Sequence, residues 1–217
     1  AVTFTNKAAG EMRERITALL GGAYKSERFG GLFVGTFHSF CASVLRTEYA
    51  KVGFRKNFTI FDDDDSLALI KEVMKNLNIS SKQYPAGMVS GVISGLKNQL
   101  IQPEEYAAQY GKEAFAKTVA AVYGDYQKRL KDANAFDFDD LLMQAVLLLQ
   151  NSPDVLQKYQ NRYQYLHIDE FQDTNYLQYL LVRLLAQKHG NIFVIGDDAQ
   201  SIYSWRGADW RNILNFE

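Results

Sequence analysis

A single cysteine, Cys41, stands in 217 residues, which excludes an internal disulfide and a thiolate zinc cluster. The three histidines, His38, His167 and His189, are scattered without metal-ligand spacing. No apolar run approaches the roughly twenty residues of a membrane-spanning helix, and no signal peptide opens the chain. A cytosolic location is therefore the default expectation. A phosphate loop of the form G-x-x-x-x-G-K-S/T is missing throughout. So is any basic excess: 24 Lys and Arg against 25 Asp and Glu leave a formal net charge of −1. A generic nucleic-acid binder would show a clear basic balance, so any contact with nucleic acid has to be local. What is present is an ordinary globular composition, 47% hydrophobic and 23% charged. The length suits one large domain or two small ones and can bury a sizeable core.

The stretch that organises the chain is Tyr165-Leu166-His167-Ile168-Asp169-Glu170-Phe171-Gln172-Asp173-Thr174. An apolar run over 163–168 ends in two adjacent acids and gives way to a helix-like segment from Tyr176. That is how a buried parallel strand delivers carboxylates to its carboxyl edge, where α/β proteins bind ligands. Neighbours on a strand point to opposite faces, but where the chain turns at the strand end both acids can reach one site. One can hold a hard cation through water, and the other can take a proton from an attacking water. The dipeptide alone is equally the mark of a solvated strand end. A second buried-strand run, 191–195, ends in Gly196-Asp197-Asp198-Ala199-Gln200-Ser201-Ile202-Tyr203, with an amphipathic segment over 176–188 between the two. Together they predict a βαβ unit with acids and an amide at neighbouring strand ends.

Upstream, residues 1–5 read as a strand and 7–20 as a helix with Ala8, Met12, Ile16 and Leu19 on its apolar face. Asn6 is its expected N-cap, and Gly21-Gly22 its stop. After a turn near Gly30-Gly31, residues 32–36 read as a strand and 37–49 as a helix opening with His38 and Ser39. The first strand-to-helix junction offers free backbone N–H groups to a phosphate. At the second, the Thr36 hydroxyl and His38 imidazole can reach a nucleic-acid backbone. On residue type alone, Phe4 is core filling and His38 a capping group. From Phe58 the character shifts. Asp62-Asp63-Asp64-Asp65 caps the amphipathic helix after it, since its spacing is not that of a calcium loop. Residues 66–133 show helical periodicity and no convincing strand, with helices over 88–96, 103–110 and 113–131 and Pro103 at an N1 position. Lys97, Lys128, Arg129 and Lys131 in this stretch face either a duplex or solvent. The chain then returns to the α/β layer near Phe136. Asp137, Asp139 and Asp140 read as N-caps of an almost wholly apolar, hence buried, helix over 141–149.

Five of these blocks carry a family resemblance, in family order. Asp169-Glu170-Phe171-Gln172-Asp173-Thr174-Asn175 resembles the Walker B segment of UvrD/PcrA/Rep-type superfamily-one helicases. Gly196-Asp197-Asp198-Ala199-Gln200-Ser201-Ile202-Tyr203-Ser204-Trp205-Arg206-Gly207-Ala208-Asp209 resembles their third helicase motif. Thr3-Phe4-Thr5-Asn6-Lys7-Ala8-Ala9, Gly35-Thr36-Phe37-His38-Ser39-Phe40 and Phe136-Asp137-Phe138-Asp139-Asp140-Leu141 are similar to further motifs of the same family, the first two being single-strand-contacting ones.

The resemblance implies an α/β fold: a partial RecA-like parallel sheet flanked by helices, with an inserted all-helical subdomain. It implies that residues 1–57 and 134–217 form the partial motor domain and 58–133 the insertion. It implies ATP and Mg²⁺ as cofactors, with Asp169 holding Mg²⁺ through water and Asp197 supporting the metal shell. Glu170 would orient and deprotonate the attacking water, and Gln200 would touch the γ-phosphate. Phe4, Tyr203 and Trp205 would stack on bases, Asn6, Thr36 and His38 would contact the strand, and Arg206 would grip its backbone. Gln200 lies three residues from Tyr203 and five from Trp205, so a shift at the nucleotide can move the stacking platform. The implied parent is a 3′-to-5′ helicase acting on single-stranded DNA and single-strand/duplex junctions.

Departures accompany the match. Ala199 stands where many members carry an acid. The phosphate loop and adenine segment that members carry ahead of this point are not found, and the chain ends at Glu217, ahead of the C-terminal motor domain that supplies arginines to the γ-phosphate. The 217 residues read as an excised piece of a first motor domain, expected to be inactive alone. Two other readings stay open: a motor piece of a nuclease-coupled recombination helicase, and a non-catalytic module that binds single strands or a partner protein.

Overall fold

The computed structural model describes residues 1–19, 32–110, 113–197 and 199. The first half of the chain forms β1 (Val2–Thr3), α1 (Asn6–Leu19), β2 (Gly35–Thr36), α2 (Phe37–Thr47), β3 (Thr59–Ile60), α3 (Asp63–Asn76), α4 (Ala86–Asn98) and α5 (Pro103–Tyr110). The second half forms α6 (Ala114–Asp132), β4 (Ala135–Phe136), α7 (Phe138–Asn151), α8 (Pro153–Arg162), β5 (Leu166–Ile168), a 3-10 turn (Phe171–Asp173), α9 (Tyr176–Ala186) and β6 (Ile192–Val194). The chain divides into two units, Ala1–Val44 with Ala145–Glu217, and Leu45–Gln144.

The first unit holds the main sheet, all parallel, in the order β2-β1-β5-β6. The mixed α/β architecture implied by the sequence is therefore present, and the two runs that end in acids are direct neighbours. The paired segments are shorter than the apolar runs that announce them, because helix ends claim the flanking residues. Thr5 leaves the ladder to cap α1: its hydroxyl accepts from Ala8 N–H at 3.1 Å. Tyr163 closes α8 through its N–H to the Tyr159 carbonyl, at 2.9 Å, and so does not start β5. Side chains from α2 and α9, among them Phe37, Phe40, Leu181 and Leu185, line a cavity of about 40 Å³ with Leu166 and Ile168. Among the described residues the other face of β5 and β6 is open: His167 is exposed and Phe193 is 57% exposed. Neither strand is buried on both faces among the described residues, contrary to the reading of their apolar runs. The hydrophobic run fixes that a strand forms there, and the surrounding elements decide which face is covered.

The second unit is helical around one core. Ile70, Val73, Val89, Ile93, Val119, Val122, Tyr123, Tyr126 and Leu130 come together from α3, α4 and α6 at helical spacing. The four-aspartate run does what its position predicts. The Asp62 side chain accepts from Asp65 N–H at 2.9 Å while the Asp65 carboxylate accepts from Asp62 N–H, a capping box opening α3. Pro103 begins α5, where its missing N–H costs nothing. One pairing has no counterpart in the sequence pattern: β3 and β4 join in a separate parallel two-stranded sheet, Ile60 opposite Phe136. Two-residue strands carry too little periodicity to be seen. No helix among the described residues is long and apolar enough to cross a membrane.

Lys97 corrects an expectation. Instead of facing a duplex or solvent it is fully buried within this unit, its ammonium 2.6 Å from Asp137 and 2.8 Å from Asp140. Lys128 and Lys131 are exposed, and Arg129 pairs with Glu72 and Asp125 at 2.7 and 3.0 Å. The two aspartates cap α7 as expected: Asp140 N–H donates to Asp137 Oδ1 at 2.8 Å and Asp137 N–H to Asp140 Oδ2 at 3.3 Å. Tyr126 Oη–H adds a 2.7 Å bond to Asp137, and Gln127 a 2.9 Å bond to Asp140. Burial opposes the charge on Lys97, but the facing Asp140 and Asp137 carboxylates outweigh it and hold the ammonium above its ordinary pKa.

Candidate functional site at the carboxyl edge of the sheet

Register places the candidate residues along one edge. Val2 pairs with Gly35 on one side and Ile168 on the other, and Ile168 pairs with Val194. The carboxyl ends of β2, β1, β5 and β6 therefore lie side by side, carrying Thr36, then Thr3 and Phe4, then Asp169 and Glu170, then the segment to Asp197. Parallel strands present their ligand-binding ends together, which is why four motifs far apart in sequence share this edge.

Asp169 comes directly after β5, half-buried, its N–H bonded to Val2 O at 3.0 Å. One carboxylate oxygen, Oδ2, accepts from the Thr3 hydroxyl at 3.3 Å. Thr3 is buried and was given no role by the sequence. Its signal was the β1/β5 register, which puts it on the Asp169 face and which one strand read alone does not show. A carboxylate beside a hydroxyl at an open strand end is an all-oxygen donor set, the kind a hard divalent cation takes. These oxygens are of the type Mg²⁺ takes, while no group of three or more His, Cys, Asp or Glu able to hold a metal comes together among the described residues.

Glu170 turns the chain. Its backbone is left-handed, φ 52° and ψ 46°, a conformation that costs a non-glycine residue roughly 1–2 kcal/mol. The next four residues impose the turn. Phe171 is fully buried, with its N–H on Ile195 O at 2.8 Å, its carbonyl accepting from the Thr174 hydroxyl at 2.7 Å, and Asp173 N–H on Glu170 O at 3.0 Å. The Glu170 side chain is exposed, and Oε2 accepts from Gln172 Nε2 at 2.8 Å. Gln172 is 1% exposed, and its Oε1 accepts from Asp197 N–H at 3.0 Å. Asp197 itself is exposed, with Oδ1 accepting from Ala199 N–H at 3.0 Å, so one carboxylate oxygen is turned onto its own loop. Downstream, Asn175 and Gln178 form the capping box that starts α9. The apolar cavity beneath the sheet contains none of these acids, so the candidate site is an open strand edge.

On the β1 and β2 side, the two strand-to-helix junctions are built differently. Asn6 is exposed and is the first residue of α1; Thr5 is the N-cap, which corrects the expectation from sequence. Thr and Asn are both good caps, and the strand's end point decided between them. Phe4 is half-buried, edge-to-face with Phe37 at 6.3 Å between centroids. Thr36 caps α2: its hydroxyl accepts from Ser39 N–H at 3.2 Å while Ser39 Oγ accepts from Thr36 N–H at 2.9 Å. The Thr36 hydroxyl proton is not used by that cap and can still be donated. Glycine at position 35 leaves room for this cap: an added Cβ would stand 2.6 Å from Ser39 Oγ and 2.7 Å from the Phe33 ring, so those side chains would have to shift. His38 is half-buried in the first turn of α2, and desolvation lowers its pKa, so the ring is neutral near pH 7. Gln200, Tyr203, Trp205 and Arg206, like Gly21-Gly22 and the turn near Gly30-Gly31, lie outside the described residues.

The model of the UvrD/REP helicase N-terminal domain matches residues 1–217. The chain is 48% identical over 217 residues to the ATP-dependent DNA helicase PcrA of Staphylococcus aureus strain Mu50, covering 100% of this chain and 29% of that protein. It is 48% identical to PcrA of Leuconostoc citreum, covering 28% of it, and 47% identical to PcrA of Staphylococcus epidermidis strain RP62A, covering 29%. In every case the chain spans less than a third of the relative's length. A match that runs over the whole chain, together with a parallel sheet whose carboxyl edge gathers the motif residues, shows that this chain belongs to the UvrD/REP helicase N-terminal domain family.

Proposed function

We propose that this chain is part of an ATP-dependent DNA helicase that moves 3′ to 5′ on single-stranded DNA, contributing half of a nucleotide site and one wall of a DNA site. The observation that carries the reading is the common edge: Asp169 and Glu170 stand between Thr3 and Phe4 on one side and the β6 end on the other. Asp169, with the Thr3 hydroxyl beside it, would hold Mg²⁺ through water. Such an ion, if bound there, would supply charge neutralisation to the nucleotide's phosphates. Glu170, exposed on the edge, orients the attacking water and accepts its proton at a carboxylate oxygen. Gln200 reports the γ-phosphate, and Asp197 supports the metal shell.

The DNA wall runs from Phe4 to the third motif. Phe4 offers a ring face braced edge-on by Phe37, and Thr36 and His38 offer uncharged donors to the strand. Asn6 and Lys7 open α1 with N–H groups that the Thr5 cap leaves for a phosphate. Tyr203 and Trp205 stack on bases and Arg206 holds backbone. Residues 1–57 and 134–217 are the motor portion and 58–133 the helical insertion, and a C-terminal motor domain of the parent completes the nucleotide site. Single-strand/duplex junctions are the expected substrate. Without a phosphate loop to position ATP, the 217 residues alone are inactive.

The test is made in the full-length protein. Glu170→Gln abolishes ATP turnover while nucleotide affinity stays within a few-fold. A turnover unchanged by that substitution removes Glu170 from the role of base and the reading with it.

A further inference from the structure

Gln172 is a buried side chain that touches both strand ends at the candidate site. Its carboxamide nitrogen donates to Glu170 Oε2 at 2.8 Å, and its carboxamide oxygen accepts from Asp197 N–H at 3.0 Å. A carboxylate only accepts and a backbone N–H only donates, so one orientation of the amide satisfies both and the flipped one satisfies neither. At 1% exposure the amide has no water to exchange with, and losing either partner would leave a buried polar group unpaired. Its own backbone is pinned inside the 3-10 turn, between the buried Phe171 and Asp173. The Glu170 carboxylate, by contrast, sits on an exposed side chain with rotamer freedom to lose.

We infer that Gln172 is a positioning residue for hydrolysis: it holds the Glu170 carboxylate in one rotamer and ties that rotamer to the backbone at the end of β6. The inference rests on the reading of Glu170 as the base. The bond to Asp197 N–H gives the arrangement a second consequence. The amide thereby links the backbone at Asp197 to the Glu170 carboxylate, so a displacement of the β6 end would be passed to that carboxylate. Holding a reacting group within a fraction of an ångström matters for rate far more than for binding, because a misplacement of about 1 Å can cost about 10²-fold.

Gln172→Glu is close to isosteric. It keeps an acceptor for Asp197 N–H, deletes the donor to Glu170 and sets a second carboxylate against the first. In the full-length protein it lowers kcat for DNA-stimulated ATP hydrolysis about 10²-fold, while KM and the affinity for a fluorescent ATP analogue stay within about threefold. Combined with Glu170→Gln, the swapped amide and carboxylate re-form the bond. The double variant then melts close to the wild type and keeps its affinity for the ATP analogue. A merely structural role predicts instead that nucleotide affinity and melting temperature fall along with kcat in Gln172→Glu alone. That pattern overturns the inference, as does a Gln172→Glu enzyme whose kcat stays within twofold of wild type while Glu170→Gln is inactive. If Glu170→Gln still turns over, it is the base assignment that fails, and Gln172 has nothing to position. Should Gln172→Glu not fold, Gln172→Met removes both bonds at similar volume and is judged by the same split of kcat against affinity.

Discussion

Replacing Lys97 with methionine isolates the interaction that ties α4 to the start of α7. At an effective dielectric of about 20, a unit charge about 2.7 Å from a carboxylate is attracted by about 6 kcal/mol, so the two contacts amount to about 12 kcal/mol before desolvation. Most of that is cancelled by taking three charges out of water. The net cost of the substitution is set by what it leaves behind, two carboxylates facing each other in a site where Lys97 was fully buried. Removing one partner of a buried pair typically costs 3–5 kcal/mol. The Tyr126 and Gln127 bonds survive the change, and we take about 3–4 kcal/mol. With a urea slope of about 2.5 kcal/mol per molar, the unfolding midpoint monitored by circular dichroism falls by about 1.5 M.

The loss is also pH-dependent. In the wild type, burial pushes Asp140 up to about 6 although Lys97 opposes it, and burial of Asp137 is outweighed by Lys97, which holds that carboxyl below its ordinary value. Without the ammonium, burial lifts both carboxyls above their unfolded values. The folded variant then holds protons that the unfolded chain releases, so its stability falls as pH rises. The deficit relative to wild type is larger at pH 8 than at pH 5. Adding Asp137→Asn and Asp140→Asn keeps the α7 caps, removes the stranded charges and recovers the midpoint to within about 1 kcal/mol. A single variant that loses under 1 kcal/mol, or whose deficit grows on acidification, refutes the assignment of Lys97 as a buried counter-ion.

Thr5→Ala should cost about 1 kcal/mol of stability and Asn6→Ala almost nothing, and the reverse order in thermal melts would return the α1 cap to Asn6. In the full-length protein, Thr3→Val should leave stability within about 1 kcal/mol but weaken Mg²⁺ dependence of turnover several-fold, measured by titrating the metal at saturating ATP; an unchanged titration removes Thr3 from the metal site. His38→Ala should weaken single-strand binding by about 1 kcal/mol without altering its salt slope at pH 7.5, because a neutral ring releases no counter-ion; a slope reduced by about one would mean a charged imidazole. Lowered as it is in the fold, the His38 pKa makes stability fall as pH drops below about 6.5, where the unfolded ring gains its proton first. Trp205→Ala should weaken single-strand binding by about 1–3 kcal/mol with little dependence on base sequence, and full-strength binding would take Trp205 out of the DNA site.

Amino-acid order alone was enough for the α/β class, the strand-helix-strand unit, the two acid-tipped strand ends and most of the helix starts. These are local: an apolar period, a proline at N1, or an aspartate three residues from its partner acts over one or two turns of chain. Even the candidate edge was legible in outline, because parallel topology compels successive strand ends to lie together. Three-dimensional packing decided the rest. Lys97, a residue type ordinarily assigned to solvent, is buried because two capping aspartates about forty residues downstream meet it, and nothing near Lys97 in the chain announces them. Thr3 meets Asp169 only across the β1/β5 register, over 166 residues, and Gln172 meets Asp197 N–H only at the end of β6, over 25. Which face of β5 and β6 is covered, and the pairing of β3 with β4, come in the same way from elements distant in sequence. A side chain's propensity is written in its neighbours along the chain, whereas its charge state, its exposure and its hydrogen-bond partner belong to neighbours in space.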